Sequence, residues 1–137
     1  MNNSEKYEAV IGLEVHAQLL TKSKAYSADS TEYGTLPNTN ISVISLGHPG
    51  TLPKTNKKVI EFAVRLGLAC HCDIREENQY ARKNYFYPDL PKGYQVSQHT
   101  APICKGGYVP VVTDAGSRHI QLNRIHLEED AGKLLHD

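Results

Sequence analysis

The chain carries no net charge. Fifteen Lys and Arg balance fifteen Asp and Glu over 137 residues, so no global field draws it to nucleic acid or to a membrane. Contact with RNA would have to be local, or supplied by another part of a larger assembly. Long apolar runs are missing too. Nothing approaches the roughly 18 residues that span a bilayer, and Met1-Asn2-Asn3-Ser4-Glu5-Lys6 is polar where a secretory leader would be apolar. A cytoplasmic location with no membrane partner is expected. Cysteine is scarce and odd in number: Cys70, Cys72 and Cys104 do not make a disulfide framework. Cys70-His71-Cys72 offers soft metal ligands, but a structural zinc usually takes four ligands and a C-x2-C spacing. Buried or incidental thiols are the plainer account. Gly47 and Gly50 lack the Gly-Lys-Ser/Thr ending of a phosphate loop. No Ser/His/Asp or Cys/His nucleophile set accompanies the acids, which argues against a stand-alone hydrolase.

What is present suits one domain: 39% hydrophobic and 22% charged residues, in a length that buries about two-thirds of its unfolded surface. Val10-Ile11-Gly12-Leu13-Glu14-Val15-His16-Ala17-Gln18-Leu19 alternates strictly, with apolar residues at the odd positions. That pattern predicts a half-buried strand with one face in a core. Glu14 and His16 then project from the same face, roughly 6–7 Å apart at Cα, and could converge on one divalent ion. An ordinary exposed face holding Glu and His has the same spacing.

Residues 21–40 are rich in Ser, Thr, Asn, Gly and Pro and read as loop. The β-branched run Ile41-Ser42-Val43-Ile44-Ser45-Leu46 predicts a short strand. It ends at Gly47-His48-Pro49-Gly50, a forced bend where backbone could approach a ligand. From Asn56 to Leu68, Val59, Phe62, Ala63 and Leu66 recur at helical spacing, widened by Ile60, Val64 and Leu68. Lys57, Lys58, Glu61 and Arg65 lie opposite, so an amphipathic helix packed on a sheet is expected, capped by Thr55 or Asn56.

In Arg82-Lys83-Asn84-Tyr85-Phe86-Tyr87-Pro88-Asp89-Leu90-Pro91-Lys92-Gly93-Tyr94-Gln95, four aromatics sit among Arg82, Lys83 and Lys92, with two prolines stiffening the backbone. Rings interleaved with cations could stack a base and hold a phosphate on Arg82 and Lys83. They could equally form a rigid loop over the core. Glycines and turn residues around Tyr108-Val109-Pro110-Val111-Val112 suggest a hairpin whose return strand runs from His119 to Leu127. That strand leads into Glu128-Glu129-Asp130. Three adjacent acids are costly unless solvent or cations screen them; they form either a surface patch or a divalent-cation site shared with Glu14 and His16, of a kind that suits magnesium. Regular parity would put Glu128 in the cleft. A bulge would put Glu129 there instead.

Taken in order, Val10-Ile11-Gly12-Leu13-Glu14-Val15-His16, Leu46-Gly47-His48-Pro49-Gly50, Arg82-Lys83-Asn84-Tyr85-Phe86-Tyr87-Pro88-Asp89 and His126-Leu127-Glu128-Glu129-Asp130-Ala131-Gly132-Lys133 closely resemble the GatB family, the B-type subunits of the aspartyl/glutamyl-tRNA amidotransferases. The resemblance covers nearly the whole chain after the first few residues. It implies an α+β fold, part of a glutamine-synthetase-like catalytic cradle, mainly antiparallel sheet with a packed helix. It further implies an ATP-dependent carbon–nitrogen ligase working in a heterotrimer with amidotransferase subunits A and C. Such an enzyme converts Glu-tRNA(Gln) to Gln-tRNA(Gln), or Asp-tRNA(Asn) to Asn-tRNA(Asn). The side-chain carboxylate is phosphorylated, and ammonia from the glutaminase partner displaces the phosphate. Mg2+ or Mn2+ is implied, with Glu14, His16 and Glu129 as ligands and Glu128 as near neighbour. Making an acyl phosphate gives a poor electrophile a leaving group, and phosphoryl transfer rests on positioning and charge neutralisation.

Two departures stand out. Many bacterial relatives carry a Cys-x-x-Cys pair, part of a structural zinc site, where this chain has Ser42 and Ser45. Serine cannot replace thiolate, which argues against zinc there despite Cys72. Family members are also several times longer, so residues 1–137 are expected to be the N-terminal part of the cradle, without its remainder, the helical domain or the tRNA-binding tail. Such a piece is expected to be inactive alone. The alternative is a non-catalytic interaction or packing module of the same complex.

Overall fold

A single helix and a run of short antiparallel strands make up the computed structural model, which describes residues 6–88 and 92–130. Expectations for Met1–Glu5, for Asp89, Leu90 and Pro91, and for Ala131, Gly132 and Lys133 lie outside the described residues.

The helix α1 spans Lys57–Ala69, as the 3.6-residue period predicts. Asn56 is its cap. Its side-chain oxygen accepts the N–H of Lys58 at 2.8 Å, and its amide group donates to the carbonyl of Ser23 at 3.0 Å, so one side chain both starts the helix and ties it to the loop before it. The buried line is Val59, Ala63 and Gly67, not the Phe62–Leu66 side of the expected stripe; Leu66 and Leu68 face outward. Gly67 explains the rotation. A Cβ there would lie 2.5 Å from Cys104 Sγ and 2.6 Å from Ile74 Cδ1, so the helix meets its neighbours backbone-first. The stop is a Schellman motif. Cys72 N–H donates to Gly67 O at 2.9 Å and His71 N–H to Leu68 O at 3.1 Å, with His71 in the left-handed region at φ 55°, a place usually given to glycine. Its ring stacks on Tyr108 with centroids 4.4 Å apart, and Tyr108 stacks in turn on His119 at 4.1 Å. The Cys-His-Cys sequence is thus the end of the helix.

Among the described residues seven strands follow: β1 Asp73–Ile74, β2 Ala81–Asn84, β3 Tyr94–Ser97, β4 Cys104–Lys105, β5 Tyr108–Thr113, β6 Gly116–Gln121 and β7 Arg124–Ile125. They form a three-stranded sheet in the order β1-β4-β7 and two hairpins, β2-β3 and β5-β6, all antiparallel. The core joins Val59 and Ala63 of α1 to Tyr26, Val96, Ile103, Cys104 and Leu127. Gln98 crosses it as a buried clasp. Its Oε1 accepts the N–H of Ile103 at 3.1 Å and of Leu127 at 3.0 Å, while its Nε2 donates to Asn78 Oδ1 at 2.9 Å. Three stretches of chain share one amide.

One helix with antiparallel sheet is an α+β composition. Several expected elements differ. Residues 10–19 form no strand: Ile11, Leu13 and Val15 are each more than four-fifths exposed. Alternation creates two faces, but a strand also needs a neighbour to take its hydrogen bonds, and no described strand pairs with this segment. Residues 41–46 form no strand and 43–47 are turn; Leu46 N–H returns to Ser42 O at 2.9 Å and His48 N–H to Val43 O at 3.0 Å. The return strand expected from His119 to Leu127 is broken after Gln121, and its continuation, β7, joins a different sheet. The aromatic stretch from Arg82 is not a loop alone but a hairpin, extended by Tyr85 N–H to Gly93 O at 3.1 Å.

Candidate functional site

The bend at Gly47, the β2-β3 hairpin and the acidic end at Glu128–Asp130 meet around Lys92 and Tyr94. Gly47, at φ 67°, comes so near that a Cβ would sit 3.0 Å from both Lys92 Cβ and Tyr94 Oη; here glycine is required both for its dihedral angle and for the room. The Tyr94 ring carries two cations, the Arg82 guanidinium carbon 4.7 Å from its centroid and Lys92 Nζ at 5.0 Å, within the range of cation–π attraction.

Residues 126–130 run beside β3. Glu129 N–H donates to Val96 O at 2.8 Å, Val96 N–H donates to Glu129 Oε2 at 3.1 Å, and the Gln95 amide reaches the Glu129 carbonyl. Lys92 Nζ donates to Glu129 Oε1 at 2.5 Å and contacts Oε2 as well. Lys83 Nζ lies 3.3 Å from Glu128 Oε1. Both acids are partly buried and each has its own lysine, because the strand ends at Ile125 and regular parity does not extend to them.

Glu14 and His16 are exposed on the extended N-terminal segment. That segment does pass the acidic end: Gln18 Nε2 donates to Asp130 Oδ2 at 2.7 Å, and the charge of Glu14 is felt at His126. Burial is the main cause that lowers the His126 imidazole below its usual value, helped by Arg124 and Lys83, with Glu128 and Glu14 pulling the other way. The buried hydroxyl of Tyr26 has no hydrogen-bond partner among the described residues. Its burial, then Tyr80, then Glu129 and Glu128, push that phenol far above its ordinary range.

One imidazole and several carboxylates are the right donors for a hard divalent cation. Among the described residues no three His, Cys, Asp or Glu side chains gather as a metal site would need, and lysines hold the two glutamates. Arg82 and Lys83 are likewise engaged, one on Tyr94 and the other on Glu128. Sequence reasoning places Lys92 only among the cations of the stretch. It misses Asp29, whose carboxylate gathers the hydroxyls of Ser27, Ser42 and Ser45; the signal is a lone acid in a serine-rich stretch facing a Ser-x-x-Ser. The described residues include no helix long and apolar enough to cross a membrane.

Comparison with known proteins follows the same segments. Residues 9–137 match the GatB/GatE catalytic domain model. The chain is 58% identical over 132 residues to the B subunit of the aspartyl/glutamyl-tRNA(Asn/Gln) amidotransferase of Caldanaerobacter subterraneus subsp. tengcongensis and 56% identical to that of Thermodesulfovibrio yellowstonii, in each case over 96% of this chain and 28% of the relative. The corresponding protein of Salinibacter ruber is 55% identical over 141 residues, again 96% of this chain and 28% of the relative. The chain therefore spans a little over a quarter of the length of these relatives. With the match running through the Gly47 bend, the Arg82–Tyr94 hairpin and the acidic end, the chain belongs to the GatB/GatE catalytic domain family.

Proposed function

We propose that this chain supplies part of the carboxyl-activating centre of a glutamine-dependent tRNA amidotransferase. The whole protein acts as the GatB component, in a heterotrimer with amidotransferase subunits A and C in the cytoplasm. Its substrates are Glu-tRNA(Gln), Asp-tRNA(Asn) or both. ATP phosphorylates the side-chain carboxylate, and ammonia delivered from the glutaminase partner then forms the amide. The antiparallel sheets and packed helix are taken as part of a glutamine-synthetase-like cradle. The observation that carries this reading is the meeting of three family segments at Lys92 and Tyr94, in a chain with family membership. Mg2+ or Mn2+ belongs to the same reading, with Glu14, His16, Glu128 and Glu129 as the donor set. In this structure lysines hold two of those acids, Glu128 and Glu129. The chain's own cations, Arg82, Lys83 and Lys92, would meet phosphate charge by exchanging their present partners, Tyr94, Glu128 and Glu129, for it.

The test is Glu14→Gln in the full-length complex. Loss of ATP-dependent phosphorylation of Glu-tRNA(Gln) with glutaminase activity intact supports catalysis. Unchanged turnover would favour a second reading, a packing module, to which the Lys83–Glu128 and Lys92–Glu129 pairs already lend themselves.

A further inference from the structure

Two turns distant in sequence close on a single carboxylate oxygen. Ser27 Oγ and Ser42 Oγ each donate to Asp29 Oδ2 at 2.9 Å, and Ser45 Oγ donates to the same atom. Ser27 Oγ also lies 3.3 Å from Ser45 Oγ. Ser27 is buried and Asp29 partly so. The four side chains come as Ser-x-Asp from one turn and Ser-x-x-Ser from the other, two facing pairs of which only the second has the gap usual between ligands of a structural metal ion. Zinc does not fit this donor set, because neutral hydroxyls are no substitute for thiolate or imidazole. Nor can Cys70 or Cys72 complete it. They follow the C-terminal end of α1, whereas the turn carrying Ser27 adjoins its N-cap, where Asn56 N–H bonds Ala25 O; thirteen helical residues span about 20 Å.

The cluster has a reach beyond itself. Ser42 and Ser45 flank the turn whose next residue but one is Gly47, packed against Lys92 and Tyr94. On the other side, Ala25 O and Tyr26 O accept the N–H groups of Asn56 and Lys54 at 2.9 and 2.8 Å, tying the first turn to the start of α1.

We propose that Asp29, with Ser27, Ser42 and Ser45, is a metal-free staple that fastens the two turns together and holds the Gly47 bend against Tyr94 and Lys92. Asp29 is thus a positioning residue that acts through the turn at residues 42–48. The inference concerns this chain's own geometry and stands whether or not the chain takes part in amidation.

The experiment uses the full-length protein. Hydrogen exchange of residues 42–48 is followed in the wild type with and without a strong zinc chelator, in Asp29→Ala, and in the fourfold variant S27C/D29C/S42C/S45C kept reduced. The wild type should hold no stoichiometric zinc and show no change with chelator. Asp29→Ala should exchange about tenfold faster or more at 42–48, as expected for losing hydrogen bonds to a charged acceptor. The fourfold variant should bind one Zn2+, give a tetrahedral thiolate spectrum with Co2+, and recover slow exchange only when metal is present. Stoichiometric zinc in the wild type that protects 42–48 would overturn the proposal, as would unchanged exchange in Asp29→Ala. If Asp29→Ala does not fold, the fourfold variant decides: metal-dependent protection supports the staple, and failure to bind metal overturns it.

Discussion

Lys92 Nζ sits 2.5 Å from Glu129 Oε1, and the pair is more enclosed than any other ion pair among the described residues, with side-chain exposures of 10% and 26%. Removing one partner leaves the other charged, partly buried and without compensation. Lys92→Met should therefore destabilise the full chain by about 2 kcal/mol, read as a lower urea midpoint. Glu129→Gln, which keeps an acceptor for Val96 N–H, should cost less. If Glu129 also serves a divalent ion, the same lysine variant should bind Mn2+ more tightly than the wild type in a calorimetric titration.

Gln98→Leu tests the buried clasp. Leucine fills similar space but leaves the N–H groups of Ile103 and Leu127 without their shared acceptor. Two buried donors left unpaired should cost roughly 2–5 kcal/mol, measured by denaturant unfolding. A change under about 0.5 kcal/mol, the usual size for a surface substitution, would mean that the clasp is dispensable.

Gly67→Ala pits two effects against each other. Helix propensity favours alanine by about 1 kcal/mol. The added Cβ, 2.5 Å from Cys104 Sγ and 2.6 Å from Ile74 Cδ1, opposes it by about 1–3 kcal/mol of overpacking. Both neighbours are side chains in a packed interior, so overpacking should win and thermal stability should fall. A second change, Cys104→Ala, which makes room, should recover part of the loss.

The Asp29 cluster sets a pH dependence. Partial burial raises the carboxyl, but the hydroxyls of Ser45, Ser27 and Ser42, with the Lys24 ammonium, outweigh it and hold the group below its usual value of 3.8. The unfolded chain then takes up the proton first as pH falls. This contribution to stability is complete above the unfolded value and drains away as pH drops through the folded one. Slow exchange of residues 42–48 should persist at about pH 5, above the usual carboxylate range, and weaken in acid. Asp29→Asn should flatten that dependence.

What the sequence made legible was what is decided locally. The helix from 57 to 69 and its Asn56 cap follow from period and capping chemistry, and the β5-β6 hairpin follows from its flanking glycines. The strand expected at 10–19 required a partner, and pairing is a property of the whole fold rather than of Ile11, Leu13 and Val15. Residues 41–46 have strand composition, yet Ser42 and Ser45 are drawn to Asp29, thirteen and sixteen residues away, and the backbone turns to allow it. At the site, the need of the adjacent acids Glu128, Glu129 and Asp130 for screening charge was legible. The capture of Glu129 by Lys92 was hidden because two long side chains 37 residues apart leave no periodic trace.

The stack of His71, Tyr108 and His119 has a mechanical reading. Three parallel plates clamp the root of the β5-β6 ribbon to the end of α1, and Tyr108 N–H pins the same root to Cys70 O at 2.8 Å. The ribbon is in effect a cantilever, and a small tilt between those rings would swing its tip at Asp114 and Ala115 through a much larger arc.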